Sequence, residues 1–280
     1  MKIGVSRLLS LAIGLVVLMV RVGYGDSVSQ RQTAHSGGAP AASSERGNGA
    51  ADSSASPAER AMERAFKGGK HAFILFYRPA QSEDRKMADT LTRAEANLRA
   101  RAMFVQVDIS SRVESRLIDK YRVRQAPLPL TLVMAPNGAV VRAFTRTVDE
   151  NALAAAFASP KVADLFKALQ EKRLVTLCLQ GAATKHNGES RRAAQQLVGD
   201  PKLKGQAVLI VADPRKEADL LKRCRIASPP LESTVLMIVP PGRLVATVAG
   251  ATTKAALLAK LTAALSSCGP GCSPGGCAPR

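Results

Sequence analysis

The feature that most constrains the fold is an internal repeat with a period of about 100 residues. The sequence Asp-Lys-Tyr-Arg-Val at 119–123 precedes a proline-bearing bend, an apolar run, a Pro/Gly turn and a second apolar run. The sequence Lys-Arg-Cys-Arg-Ile at 222–226 precedes the same series, and the turn glycines Gly138 and Gly242 lie at closely similar distances from the two motifs. This period indicates two copies of one domain rather than a solenoid array.

A buried strand followed by an amphipathic helix opens the first copy. Residues 73–77 are an apolar run rich in aromatic and branched side chains, which predicts a buried strand. The next segment places apolar side chains at helical spacing, namely Met87, Leu91, Ala94 and Leu98. We expect Ser82 or Asp84 to cap this helix.

The same patterns predict the other elements of both copies. Predicted helices occupy 57–67, 113–121, 151–158, 161–172, 189–198, 217–225 and a last segment ending near 265. Predicted strands occupy 103–109, 130–134, 139–144, 174–179, 207–212, 235–239 and 244–248. Ser56 is expected to cap the first helix, and Thr147 with Glu150 is expected to form a capping box for the helix at 151–158.

The strand at 73–77 and its helix resemble the start of a thioredoxin-like domain. In that family, a buried strand ending in Phe leads to a Cys-x-x-Cys motif at the helix N-terminus. Counting on from Phe76 with the family's spacing places the two thiol positions at Gln81 and Asp84, and neither is cysteine. The resemblance implies an α/β fold of two thioredoxin-like domains in tandem, each with a central mixed β-sheet flanked by helices. The substitutions at the thiol positions argue against redox catalysis.

The family also carries a cis-proline immediately before the first strand of its hairpin. Pro129 is the candidate here, with Pro127 as the alternative, and Leu128 and Pro129 are expected to line a groove that receives an extended polypeptide. The second copy resembles the family more weakly, since its turn at 180–187 has no Cys-x-x-Cys and Ser233 is expected at the cis-proline position.

The N-terminus has the pattern of a secretory signal peptide. Lys2 and Arg7 precede an apolar run at 8–20, and Gly23 and Gly25 supply small residues for cleavage. We therefore expect an exported protein, periplasmic or extracellular, which stays membrane-anchored if the segment is uncleaved. The predicted organisation is a signal peptide (1–25), a disordered Ser/Ala/Gly-rich linker (26–56), domain 1 (57–158), domain 2 (159–266, with a leading helix at 160–172) and a Cys/Gly/Pro-rich tail (267–280).

The chain is strongly basic, with 40 basic and 22 acidic side chains and a formal net charge of +18. The basic residues are scattered along the chain, and only 4% of the residues are aromatic, so few side chains could stack on nucleic-acid bases. Nucleic acid is therefore not an expected partner. Weak association with an anionic envelope surface fits the charge better.

Five cysteines fall into two groups. Cys178 and Cys224 lie in predicted elements and are expected to be small buried core residues, with their pairing left open. Cys268, Cys272 and Cys277 lie in the Gly/Pro-rich tail, where they could hold copper or zinc, or could form an intramolecular disulfide and leave one thiol for an intermolecular bridge.

The hypothesis that follows is an exported, non-catalytic protein-binding or scaffolding module with a protein or extended polypeptide as its partner. The alternative is a thiol–disulfide oxidoreductase or a copper- or zinc-handling protein that uses the tail cysteines. No resident cofactor is expected under the first hypothesis.

Overall fold

The computed structural model describes residues 55–266, which form two successive units of the same topology. The first unit contains α1 (Pro57–Lys67), β1 (His71–Tyr77), α2 (Ser82–Leu98), β2 (Ala102–Asp108), α3 (Ser115–Lys120), a 3₁₀ turn (Val123–Gln125), β3 (Leu130–Met134), β4 (Val140–Phe144) and α4 (Glu150–Ala154). The second contains α5 (Pro160–Gln170), β5 (Leu174–Leu179), α6 (Asn187–Val198), a 3₁₀ turn (Pro201–Leu203), β6 (Ala207–Ala212), α7 (Ala218–Arg223), β7 (Thr234–Val239), β8 (Arg243–Ala249) and α8 (Lys254–Ser266).

Each unit is built on a four-stranded mixed sheet. The strand orders are β2-β1-β3-β4 and β6-β5-β7-β8. The first two strands of each unit pair in parallel, and the hairpin strand beside them, β3 or β7, is antiparallel. With helices on both faces, this is the thioredoxin-like topology, and the predicted fold class is confirmed.

Successive side chains of β1 point to opposite faces of the sheet and contribute to two separate apolar layers in the first unit. Ile74 and Phe76 pack with α1 and α3, whereas Phe73 and Leu75 pack with α2 and α4. All four side chains are fully buried, as expected for a central strand covered on both faces. The second unit repeats the arrangement, with α5 and α7 on one face of its sheet and α6 and α8 on the other.

The units also repeat a contact between a helix cap and a distant carboxylate. The Ser56 hydroxyl caps α1 and lies 2.5 Å from the Glu114 carboxylate, 58 residues further on. The Ser159 hydroxyl caps α5 and lies 2.5 Å from the Glu217 carboxylate, also 58 residues further on. This shared contact is independent of sheet topology and supports duplication of one unit.

Helix α5 joins the two units. It belongs to the core of the second unit, yet the Gln170 side chain accepts from the Val140 nitrogen at 3.1 Å and donates to the Val140 oxygen at 2.7 Å. Asn137 Nδ2 lies 3.2 Å from Asp164 Oδ1 of the same helix. The outer strand β4 of the first unit is therefore hydrogen-bonded to the second.

Two predicted caps are wrong. The residue before α2 is Gln81, which makes no side-chain cap bond, while Asp84 hydrogen-bonds to Arg78. Helix α4 is capped by Asp149, whose carboxylate accepts from the Ala152 nitrogen at 2.7 Å. Thr147 instead donates to the Glu83 carbonyl at 3.4 Å, because the chain approaching α4 runs against the start of α2.

The predicted signal peptide (1–25), the linker (26–56) apart from Ala55 and Ser56, and the tail (267–280) lie outside the described residues. Within residues 55–266, no helix combines the length and the apolar character needed to cross a bilayer.

Candidate functional site

The candidate site of the first unit lies where β1 ends and β3 begins. Phe76 pairs with Leu130, so the turn after Tyr77 and the Leu128–Pro129 segment lie at the same end of the sheet. The Leu128–Pro129 peptide bond is cis, which confirms the prediction for Pro129, whereas no cis bond precedes Pro127. Pro129 is buried and Leu128 is half-buried. We call the turn at 78–81 together with Leu128 and Pro129 the first-unit groove.

The two family thiol positions have different environments. Gln81 is exposed at the start of α2. The Asp84 side chain is only 2% exposed, and its Oδ2 accepts from the Arg78 nitrogen at 2.8 Å and from Arg78 Nε at 3.1 Å. The carboxylate thus fixes the turn between β1 and α2, and neither residue supplies the thiolate that disulfide chemistry requires.

The equivalent end of the second unit differs in its backbone pairing. Leu179 pairs with Thr234 as Phe76 pairs with Leu130, which places Ser233 at the position of Pro129. Lys185, in the turn between β5 and α6, donates its backbone N–H to the Leu231 carbonyl at 3.0 Å. The Lys185 carbonyl accepts from the Ser233 N–H at 2.8 Å, so the two segments form a parallel bridge.

The first unit cannot make this bridge. Pro129 has no N–H to replace that of Ser233. Among the described residues, the backbone groups of Leu128 form no hydrogen bond. In the second unit, Lys185 occupies the Leu231 carbonyl and the Ser233 N–H on either side of Glu232. In the first unit, the corresponding Pro127 carbonyl accepts no hydrogen bond from a described backbone N–H.

The two described cysteines are separate, free thiols. Cys178 is fully buried on the α6/α8 side of the second sheet, and Cys224 is half-buried among the residues of the opposite side. Burial raises the pKa of both thiols, although the Ser233 hydroxyl, 3.6 Å from Cys178 Sγ, acts in the opposite direction at Cys178. These environments suppress thiolate formation.

Residues 55–266 contain no group of three His, Cys, Asp or Glu side chains suited to a metal ion. Cys268, Cys272 and Cys277 lie outside that range, so the predicted copper or zinc site stays a prediction.

Sequence reasoning missed two arrangements that the structure brings together. One is the bridge between Lys185 and the segment before β7, for which the sequence carries no local signal. The other is a basic cleft beside α7 that includes Arg215, Lys222 and Arg225. Its signal was visible in the repeat, because Lys222 replaces the acidic Asp119.

No family model and no curated protein matches the chain. Solved structures similar to it include thioredoxin-2, a component of malaria parasite protein secretion machinery, at 16% identity over 31% of this chain and 79% of that chain, with a TM-score of 0.28. The first two thioredoxin domains of Saccharomyces cerevisiae Eps1p are 12% identical over 71% of this chain and 92% of that chain, with a TM-score of 0.30. The zinc-bound form of human ERp44 is 11% identical over 75% of this chain and 60% of that chain, with a TM-score of 0.31. The assignment of a thioredoxin-like fold rests on the strand order and pairing of both units.

Proposed function

We propose that this chain is an exported, non-catalytic thioredoxin-like protein whose first unit binds an extended polypeptide at Leu128 and Pro129. The single observation that carries the proposal is the contrast between the two units. In the second unit, Lys185 pairs with Leu231 and Ser233 on either side of Glu232, whereas no described residue pairs with the backbone around Leu128 in the first unit.

The bridge in the second unit supports the view that this end of the sheet can accept a strand. Lys185 is held by two backbone hydrogen bonds, of 2.8 and 3.0 Å. Backbone pairing of this kind supplies affinity in strand addition, and neighbouring side chains supply specificity. Because Pro129 cannot donate as Ser233 does, a partner strand would pair instead with the N–H and the carbonyl of the residue before it, Leu128.

The surroundings of Leu128 suit a modest, peptide-sized interface. Its half-buried side chain offers apolar contact, and the neighbouring turn at 78–81 is exposed. The turn is held in place by Asp84 beneath Arg78, so the groove is fixed before a partner arrives. A preformed groove loses little conformational entropy on binding, which favours affinity.

The absence of redox catalysis is supported by the same turn. Gln81 and Asp84 stand where the family has thiols, and Asp84 already has a structural partner. Export is supported by the sequence pattern at 1–25. Sequencing the N-terminus of the protein from the extracytoplasmic fraction tests it, and an unprocessed cytoplasmic chain would refute this part of the proposal.

Peptide selection on the purified full chain tests the groove. Peptides selected from a displayed random library are expected to bind the unmodified chain and to bind Leu128→Glu about tenfold more weakly, as is typical of a central contact residue. The matched control is Glu232→Lys, a charge change at the equivalent position of the second unit. Equal binding by all three proteins would contradict the proposal.

The tail cysteines support a different hypothesis, that of thiol–disulfide exchange or of copper or zinc handling. It predicts stoichiometric metal, or reductase activity towards insulin, that disappears when Cys268, Cys272 and Cys277 are replaced by Ser. The net charge of +18 supports a weak association with anionic envelope polymer. Such binding would fall steeply with rising salt.

A further inference from the structure

A basic cleft lies beside α7 in the second unit. Its volume is about 510 Å³, and its walls come from the loop after β6, from α7 and from the loop before β7. Leu221 and Ile226 contribute apolar surface, while Arg215, Lys222 and Arg225 contribute positive charge. Among residues 55–266, those that line the cleft include no acidic side chain.

The nearby carboxylates have partners other than the three cationic side chains of the cleft. Asp213 accepts from the Arg215 nitrogen at 3.0 Å and lies 3.9 Å from Lys216 Nζ. Glu217 receives the Ser159 hydroxyl, and Asp219 pairs with Arg223 at 2.9 Å. Within residues 55–266, no carboxylate forms an ion pair with the side chains of Arg215, Lys222 or Arg225. Three cations therefore share one cleft without local neutralisation.

The first unit shows the same backbone with a different charge pattern. Asp119 and Lys222 are the penultimate residues of the equivalent helices α3 and α7. Asp119 Oδ1 lies 3.7 Å from Arg124 Nε, so this end of α3 carries a cation neutralised by an acid. At α7 the acid is replaced by a base, and Ala227 follows Ile226 as Arg124 follows Val123. The lysine at this position is thus specific to the second unit, whereas Arg122 of the first unit corresponds to Arg225.

The backbone conformation at Arg225 sets the direction in which one of the three cationic side chains leaves the chain. Arg225 has a φ of 58°, in the left-handed region, and its nitrogen donates to the Lys222 carbonyl at 3.1 Å. Arg122, the equivalent residue, has a φ of 51°. A non-glycine residue rarely adopts this conformation. The turn therefore sets the direction in which the Arg225 side chain leaves the helix end.

We propose that this cleft binds a compact oxyanion, phosphate or carboxylate, carried on an apolar body. The guanidinium and ammonium groups are suited to an oxyanion, because charge-assisted hydrogen bonds are the stronger class. Leu221 and Ile226 would contact the apolar part. The volume lies within the range of about 300–1,000 Å³ typical of small-molecule sites.

Calorimetry with hexyl phosphate on the full chain tests the proposal. We expect binding that is at least about tenfold weaker for Lys222→Asp, which replaces a cation of the cleft with the acidic residue that the first unit has at this position. The matched control is Arg122→Glu, the same kind of charge change at the equivalent end of α3, and it should leave binding unchanged. Arg215→Gln, on the opposite loop, is a second variant that should also weaken binding, by a smaller factor.

Further ligands show how much the anionic group and the apolar chain each contribute to binding, and whether the anion belongs to a lipid or to a soluble molecule. Hexanol and inorganic phosphate should each bind more weakly than hexyl phosphate, because each lacks one half of the ligand. Flotation with phosphatidylcholine vesicles, with and without phosphatidic acid, distinguishes a lipid headgroup from a soluble amphiphile, and a loss with Lys222→Asp in either arm supports the cleft. Unchanged hexyl phosphate binding in folded Lys222→Asp and Arg215→Gln, or an equal loss in Arg122→Glu, would overturn the proposal.

Discussion

Asp84 lies beneath Arg78 and accepts two hydrogen bonds from it, one from the backbone nitrogen at 2.8 Å and one from Nε at 3.1 Å. The acid stands at the family's second thiol position, so a position used elsewhere for redox chemistry here holds a turn together. Its burial means that the carboxylate has exchanged water for these two donors.

Replacing Asp84 is therefore expected to destabilise the first unit. Asp84→Ala removes the buried carboxylate that accepts from the Arg78 backbone N–H, which typically costs about 1–3 kcal/mol in unfolding free energy. Urea unfolding followed by circular dichroism measures it. The control is Glu83→Gln, since Glu83 pairs with Lys86 at the surface and should contribute less than about 1 kcal/mol. Equal effects of the two substitutions would show that the Arg78 contact contributes little.

The repeated serine–glutamate contact should show measurable coupling. A double-mutant cycle with Ser56→Ala and Glu114→Ala is expected to give an interaction energy of about 1 kcal/mol, because Ser56 and Glu114 are buried and Glu114 also accepts from the Ala58 nitrogen at 3.0 Å.

The same cycle with Ser159→Ala and Glu217→Ala should give a smaller value, since both residues are half-exposed and solvent weakens the pair. The cycles are measured by urea unfolding. A larger coupling in the second unit would contradict the dependence on burial.

His71 should make stability depend on pH. Burial lowers the pKa of His71 from its ordinary value of 6.5, and the nearby Arg101 guanidinium acts in the same direction. The unfolded state therefore takes up a proton before the folded state does. This stabilising contribution is present above about pH 6.5 and is lost as the pH falls through the lower, folded-state pKa.

Urea unfolding of the unmodified chain and of His71→Gln across this range checks the sign. The unmodified chain should lose stability faster as the pH falls below about 6.5, and His71→Gln should lose less. His35 and His186 remain in both proteins, so the difference between the two slopes belongs to His71. Parallel slopes would refute the prediction.

Cys178 should react slowly with alkylating reagents in the native protein. It is fully buried, and burial raises the pKa of its thiol, so both access and thiolate content are low. Iodoacetamide labelling followed by peptide mass spectrometry should modify Cys178 only after unfolding in guanidinium chloride. Native labelling of Cys178 at the denatured rate would contradict its buried position.

Continuous apolar runs made the strands predictable. The bounds of β5 match the predicted 174–179, because a central strand covered on both faces is apolar throughout. The bounds of the edge strand β6 match the predicted 207–212, since this strand is also an uninterrupted apolar run. Helix caps were less predictable. Thr147 and Asp149 are both plausible caps, and the choice depends on how the chain crosses α2 on its way to α4.

The candidate site was predictable only in part. The cis bond at Pro129 and the place of Ser233 followed from the resemblance. The bridge formed by Lys185 requires two loops distant in sequence to meet, and no local pattern encodes that meeting. The roles proposed for Leu128, Pro129 and the tail cysteines stay predictions.

The contact between Gln170 and Val140 has a consequence for the order in which the chain is made. Residues emerge from the ribosome from the N-terminus onward, and domains usually fold as they appear. When β4 has been synthesised, Val140 still lacks the side chain that satisfies both of its backbone groups, and that partner arrives only with the end of α5. During synthesis, the edge of β4 at Val140 therefore stays without this partner until the first helix of the second unit, α5, has been made.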